Sequence, residues 1–219
     1  MTIRIRKSLC ADTLLTDIYH LFQKIPDPRK LSNRAISFTD VLMSGVAVFG
    51  LKFPSLLKYD QNRQTIDHNL LTLYHINTPP SDTYMRERLD ELDPLFIRPV
   101  FKKMFAKLQR GKCLERFEFL DGHYLISLDG TGEFSSGSVR CPQCCKKEYK
   151  NGSVTYYHQM LGACVVHPDQ KNVIPLCPEL IQNGDGSEKN ACERNASKRF
   201  IERFKREHPH LKAIILGDG

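Results

Sequence analysis

Tyr-Leu-Ile-Ser-Leu-Asp-Gly-Thr (124–131) and Leu-Lys-Ala-Ile-Ile-Leu-Gly-Asp-Gly (211–219) are two apolar runs that each lead into an aspartate. Their β-branched and aliphatic residues, with glycines beside them, predict two strands. The basic segment 188–207 between them has the apolar spacing of a helix. If the two strands are neighbours in one sheet, the carboxylates of Asp129 and Asp218 meet at the ends of those strands.

Further strands are predicted between these two runs. Segments 124–128, 154–167 and 172–176 follow one another, the last two joined by the turn 167–171, which predicts an antiparallel meander. The helix and a strand over 213–216 complete a β-β-β-α-β order. Because parallel crossover connections are right-handed, the last strand is expected to return beside the first.

The N-terminal half of the chain has a different pattern. Three helices are predicted, over 12–25, from a cap at 37 or 39 to 51, and from a cap at 81 or 82 to 92. We therefore predict an α+β protein with a helical region at 1–120 and a β-β-β-α-β domain at 121–219.

The composition is that of a globular protein, with 219 residues of which 41% are hydrophobic. The longest apolar stretch, 41–51, is far shorter than the roughly 20 residues of a membrane helix. Basic residues near the N-terminus are not followed by the apolar core of a secretory signal. We expect a cytoplasmic protein without membrane contact, in which most cysteines stay reduced.

Positive charge is concentrated in one segment, 96–117, which holds seven cations and one acid, so that 7 − 1 gives +6 of the net charge of +7. A helix is predicted here, with apolar residues on one face and cations on another. Such a segment favours a polyanionic partner, with nucleic acid first and an anionic membrane surface well behind, and it makes the helical region 1–120 a predicted DNA-binding region. Cations on a helix surface can also serve solubility alone. The expected phosphate contacts are Arg98, Lys102, Lys103, Lys107, Arg110 and Lys112.

A second motif is Cys141-Pro-Gln-Cys144-Cys145. A Cys-x₂-Cys turn presents two thiolates to one Zn²⁺, and a structural zinc site needs about two more ligands. His158 is the first choice for a third ligand, with Cys145, Cys113 and Cys164 as alternatives. No second Cys-x₂-Cys or His-x₃₋₅-His completes the pattern, so a loop of free thiols is the competing interpretation.

The aspartate pair predicts a different metal. Carboxylate oxygens at the end of a strand suit Mg²⁺ or Mn²⁺, and two such ions can activate an attacking oxygen and stabilise a leaving one at phosphorus. Asp121 and Glu133 are carboxylates nearby in sequence, for which turn or surface roles compete with help in metal binding.

Four stretches resemble a known family: Leu-Asp-Gly-Thr-Gly-Glu-Phe-Ser-Ser (128–136), Tyr-His-Gln-Met-Leu (157–161), Val-Ile-Pro-Leu (173–176) and Leu-Gly-Asp-Gly (216–219). In content and order they are similar to the catalytic core of the DDE transposases of bacterial insertion sequences. The resemblance covers about 121–219 and implies a ribonuclease H-like fold, with phosphodiester cleavage and strand transfer at element ends.

By this resemblance Asp129 corresponds to the first acid of the catalytic triad and Asp218 to the second, both as ligands of Mg²⁺ or Mn²⁺. The family's third acid is a glutamate on a later helix, and no residue here matches it. The resemblance therefore implies a truncated or split transposase that is inactive alone, associated with the bacterial nucleoid, with insertion-sequence ends and target DNA as partners. Its other partner would be a second copy of the chain or the missing C-terminal half.

Two other functions compete with this one. A non-enzymatic DNA-binding fragment could regulate a full-length transposase, and its binding would survive chelation without cleavage. A ribonuclease H-like nuclease unrelated to transposition would prefer RNA–DNA hybrids.

Overall fold

The computed structural model describes residues 9–29, 35–185 and 189–217. The chain divides into two compact units, the N-terminal unit Met1–Gly111 and the C-terminal unit Lys112–Gly219. The division falls before the predicted one between 120 and 121. The reason is that the strand Glu118–Leu120 pairs with the strand that follows it, and so belongs to the sheet.

The N-terminal unit is helical. Four of its helices, α1, α2, α5 and α6, lie where the sequence predicts them, whereas α3 and α4 were not predicted. Across the described residues, no helix combines the length and the apolar character needed to cross a membrane. The helices are α1 (Ala11–Phe22), α2 (Phe38–Gly50), α3 (Leu56–Asn62), α4 (Asp67–Thr72), α5 (Asp82–Leu89) and α6 (Arg98–Arg110).

Helix α2 is the centre of this unit's core. It starts where Ser37 Oγ accepts a hydrogen bond from the amide of Asp40 at 2.9 Å, as is typical of an N-cap. Its residues Val41, Met43 and Ala47 are fully buried. The Asp40 carboxylate is also buried, and it accepts hydrogen bonds from the amides of Asn77 and Thr78 at 3.3 and 3.1 Å. This polar contact fixes the loop after α4 against α2.

The C-terminal unit is a sheet with one long helix, which confirms the α+β class. Two long strands, β2 and β4, pair antiparallel, and each of the shorter strands pairs with one of them. The elements are β1 (Glu118–Leu120), β2 (His123–Ser136), β3 (Cys145–Glu148), β4 (Val154–Val166), β5 (Ile174–Pro175), β6 (Glu179–Ile181), α7 (Lys189–Glu207) and β7 (Lys212–Leu216).

Strand β7 is the one parallel member of the described sheet. It pairs with β2 from His123↔Lys212 to Ser127↔Leu216, after the chain has crossed over through α7. The last strand therefore returns beside the first long strand, as predicted from the right-handed crossover rule.

Helix α7 covers part of the sheet. Its stripe of Ala196, Phe200 and Phe204 is buried, and the helix contacts β4 and β6. Arg199 also connects α7 to the loop after β6, where it donates two hydrogen bonds to the Asp185 carboxylate. Burial alone would raise the pKa of Asp185, but the hydrogen bonds from Arg199 and from the Gln182 amide outweigh it and lower that pKa. The ion pair therefore stays charged at neutral pH.

Candidate functional site

Asp129 lies inside a strand, not just after one. The sequence predicts a strand that stops at Leu128, whereas β2 continues to Ser136 because β4 pairs with it as far as Ser136↔Tyr156. What ends near Asp129 is the parallel pairing, since the last β2–β7 pair is Ser127↔Leu216. Asp129 therefore follows the end of the parallel ladder, on the central strand of the sheet.

The side chain of Asp129 is exposed and has room around it. Its partner across the β2–β4 ladder is Gly162, which has no side chain. On the opposite side of β2, Gly130 lies against α7, because a Cβ added there would come within 2.2 Å of Glu193 Oε1. Successive strand residues point to opposite faces, so α7 leaves the face that bears Asp129 open.

Asp218 lies outside the described residues. Within the part of the chain that the structure does describe, Asp129 belongs to no cluster of three or more potential metal ligands. Asp121 occupies the turn between β1 and β2 with a positive φ of 47°, and Glu133 is exposed at the irregularity between Gly132 and Phe134. Asp121 therefore fits a turn role and Glu133 a surface role.

The structure brings Cys141, Cys144 and His158 together. The Nε2 atom of His158 lies 3.3 Å from the Sγ atom of each cysteine, and the two Sγ atoms are 3.6 Å apart. Of the four candidates for a third ligand, His158 is the one that joins the two cysteines, and in the described chain these three residues form a cluster that can hold a metal ion.

Two local features build this cluster. The cysteines are held in a turn by a hydrogen bond from the Cys144 amide to the Cys141 carbonyl at 3.2 Å, and the Cys141 amide donates to Cys144 Sγ at 3.2 Å. Strand β3 then starts at Cys145, which pairs with Tyr157 on β4. Because Cys144 precedes that pair and His158 follows it, the turn lies beside the imidazole.

The other cysteines considered as a third ligand lie outside this group. Cys145 is buried, and its Sγ donates a hydrogen bond to the Ile181 carbonyl at 3.8 Å. Cys164 lies further along β4, opposite Ser127, and burial raises the pKa of its thiol. Neither of these two, nor the third candidate Cys113, belongs to the cluster of Cys141, Cys144 and His158.

The predicted phosphate-binding residues have different environments. Lys102, Arg110 and Lys112 are exposed. Lys107 forms an ion pair with Asp17 of α1, and only 13% of its side chain is exposed, so its charge is already balanced within the N-terminal unit. Lys112 lies 3.3 Å from Glu115 in an exposed pair.

The structure thus describes two candidate metal sites to different extents. At one, a single carboxylate, that of Asp129, follows the end of the parallel pairing; at the other, two cysteine sulfurs and one histidine nitrogen lie together.

A comparison of the chain with protein-family models, with curated proteins and with solved structures finds no match.

Proposed function

We propose that this chain belongs to a DDE-type DNA transposase with a ribonuclease H-like catalytic core, in which Asp129 and Asp218 hold Mg²⁺ or Mn²⁺. The observation that carries the proposal is the parallel pairing of β2 with β7. Asp129 follows the last residue of that pairing on β2 by two positions, and in the sequence Asp218 follows Leu216 by two positions. Residues at equal offsets from one register pair of parallel strands lie side by side where both strands continue, and two such carboxylates could share one metal site.

The sheet topology supports the same proposal. The order β4, β2, β7, with an antiparallel first pair, a parallel second pair and a crossover helix between, agrees with the first part of a ribonuclease H-like core. Asp129 lies on the middle strand of the three, and its face is open above Gly162. An ion and a phosphodiester need that open space.

The chemistry assigned to the aspartates is metal-assisted phosphoryl transfer. Divalent ions at this place would activate a water or a 3′-hydroxyl and stabilise the leaving oxygen at phosphorus. Asp129 would supply hard carboxylate oxygen, the ligand that Mg²⁺ and Mn²⁺ prefer. The exposed cations of α6 would bind the phosphate backbone of the DNA without reading its sequence.

Manganese binding tests the proposed pair of aspartates directly. In the Asp129→Asn variant we expect Mn²⁺ affinity, measured by the electron paramagnetic resonance signal of free Mn²⁺, to fall by at least about tenfold, because a carboxylate ligand is lost. Asp121→Asn is the matched control, since Asp121 lies in a turn of the same unit, and it should bind Mn²⁺ as the wild type does. Equal affinity in wild type and Asp129→Asn would contradict the proposal.

Nicking of supercoiled plasmid with Mn²⁺ is the functional arm of the same experiment. Metal-dependent nicking that Asp129→Asn removes would support a transposase or nuclease, and substrate preference for DNA over RNA–DNA hybrids would favour the transposase. DNA binding that survives chelation, with no nicking in Mg²⁺ or Mn²⁺ and no saturable Mn²⁺ site, would favour the non-enzymatic regulator instead.

The salt dependence of DNA binding tests the basic helix. For a duplex oligonucleotide, replacing both Lys102 and Lys103 with alanine should reduce the slope of log K against log salt by about 1.8, because each phosphate contact contributes about 0.9. The matched control is the double variant Lys24→Ala, Lys58→Ala, in which both lysines are exposed on the N-terminal unit outside α6. An unchanged slope in the α6 variant would mean that these lysines only solvate the helix.

A further inference from the structure

The Cys141–Cys144–His158 cluster has the dimensions of a zinc site. Zinc–sulfur bonds of about 2.3 Å and zinc–nitrogen bonds of about 2.0–2.1 Å at tetrahedral angles put sulfur atoms about 3.8 Å apart and sulfur about 3.6 Å from nitrogen. The corresponding distances here are 3.6 Å between the Sγ atoms and 3.3 Å from each Sγ to His158 Nε2. The three ligand atoms therefore already form one face of a tetrahedron.

We propose that Cys141, Cys144 and His158 bind one Zn²⁺, with a water molecule as its fourth ligand. Two thiolates and a neutral imidazole balance the charge of the ion, and this soft donor set selects zinc over Mg²⁺ or Ca²⁺. The site is distinct from the proposed Asp129 site, and it does not depend on the transposase proposal.

Access and burial suit a bound ion. Cys144 is buried at 5% exposure, whereas Cys141 is exposed, so that the ion can enter from solvent on the Cys141 side. An open depression of about 390 Å³ adjoins His158, between residues 132–135 of β2 and 157–159 of β4. The described residues place no fourth Cys, His, Asp or Glu in the cluster, and water fills that position in this proposal.

The ion would connect two parts of the sheet. The long connection from β2 to β4 also carries the four pairs between β3 and β4, from Cys145↔Tyr157 to Glu148↔Val154, and a hydrogen bond from Arg140 Nη1 to the Tyr156 hydroxyl at 2.6 Å. Zinc would tie the cysteine turn to His158 on β4, and so close a loop over residues 141–158. Because the unfolded chain has no preformed site for the ion, the free energy of zinc binding adds to the stability of the folded unit, which makes the metal a stabilising crosslink.

Metal content and cobalt spectroscopy test the site on the full chain. After purification and dialysis, we expect inductively coupled plasma mass spectrometry to find one equivalent of zinc per chain. Replacement by Co²⁺ should give the ligand-field bands of a tetrahedral ion and a thiolate-to-cobalt charge-transfer band. Absence of both zinc and the charge-transfer band in the wild type would overturn the proposal.

Matched variants assign the ligands. Cys141→Ser and His158→Gln should each weaken Zn²⁺ binding by about a hundredfold or more in competition with a chromophoric chelator, since each removes one of three protein ligands. Cys164→Ser and His167→Gln alter a cysteine of β4 and a histidine just beyond it, outside the cluster, and should bind zinc as the wild type does. Wild-type affinity in His158→Gln, or loss in Cys164→Ser, would overturn the assignment.

Two further measurements keep the outcome clear. Where a cysteine variant does not fold, chelation of wild-type protein followed by zinc titration tests the same site, with hydrogen exchange in 137–158 expected to slow as zinc is added; no change there would count against the proposal. Asp129→Asn should bind zinc normally and lose Mn²⁺ affinity, whereas His158→Gln should lose zinc affinity and bind Mn²⁺ normally. Failure of the zinc site and failure of the transposase proposal are therefore separate results.

Discussion

Replacing Glu179 with alanine is expected to lower the free energy of unfolding of the C-terminal unit by about 2–3 kcal/mol, because two arginines of α7 lose a buried partner. Glu179 is 4% exposed and accepts hydrogen bonds from Arg199 Nε at 3.2 Å and from Arg203 Nη1 at 2.8 Å. Both arginines are about 30% exposed, at 29% and 30%, so the cost lies below that of a fully buried pair.

The measurement is hydrogen exchange resolved by peptide, which separates the C-terminal unit from the N-terminal one. Peptides of α7 and β6 should lose protection in Glu179→Ala. Glu148→Ala is the control, because Glu148 forms a similar short pair with Lys146 at 3.0 Å but is 67% exposed, and surface pairs contribute little. Equal protection in the two variants would show that Glu179 does not hold α7 on the sheet.

Replacing Arg29 with alanine is expected to lower the stability of the N-terminal unit by about 3 kcal/mol, because it removes the buried guanidinium that pairs with the Asp27 carboxylate and donates to the Ile36 carbonyl. The Arg29 side chain is 1% exposed. It donates to both carboxylate oxygens of Asp27 at 2.7 Å, to the Ile36 carbonyl at 2.9 Å and to the Tyr84 hydroxyl at 2.5 Å. Its guanidinium also lies 5.7 Å from the centre of the Phe38 ring.

Arg86→Ala is the control for this variant, since Arg86 is 61% exposed and pairs with Asp82 at 3.8 Å. We expect that change to cost less than about 1 kcal/mol. Arg29→Lys should recover only part of the loss, because an ammonium group cannot bind the carboxylate through two parallel hydrogen bonds. Protection of α2 and α5 peptides reports the effect, and a stable Arg29→Ala variant would contradict it.

The sequence was most informative where local chemistry decides the structure. The Ser37 and Ser81 caps, each accepting an amide hydrogen bond at the start of a helix, mark helix starts that patterning could find. Strand β4 and the return of β7 beside β2 also follow from apolar runs and the handedness of crossovers. In the cysteine cluster, His158 was the first of four candidates for a third ligand, and it is the one that the structure brings to Cys141 and Cys144.

Other features depend on partners that are distant in the chain. Strands β3 and β6 are short, and pairing with β4 creates them, so no local pattern marks them. Gly130 and Gly132 suggest a turn after Leu128, yet β4 supplies hydrogen-bond partners that carry β2 through both. The ion pair between Lys107 and Asp17 joins two helices, and a count of cations along one segment cannot reveal it.

The pairing of β2 with β7 also bears on the order of folding. Its two strands are separated in sequence by β3, β4, β5, β6 and α7, so the pairing closes a long loop, comparable to the one that α1 and α6 close in the N-terminal unit through Asp17 and Lys107. Contacts between distant residues form slowly, because the entropy of the loop is lost before the strands gain anything. The N-terminal unit ends at Gly111, so during synthesis it emerges well before β7 and is expected to be structured while the sheet still lacks its parallel strand. Among the described strands, β7 is expected to pair last.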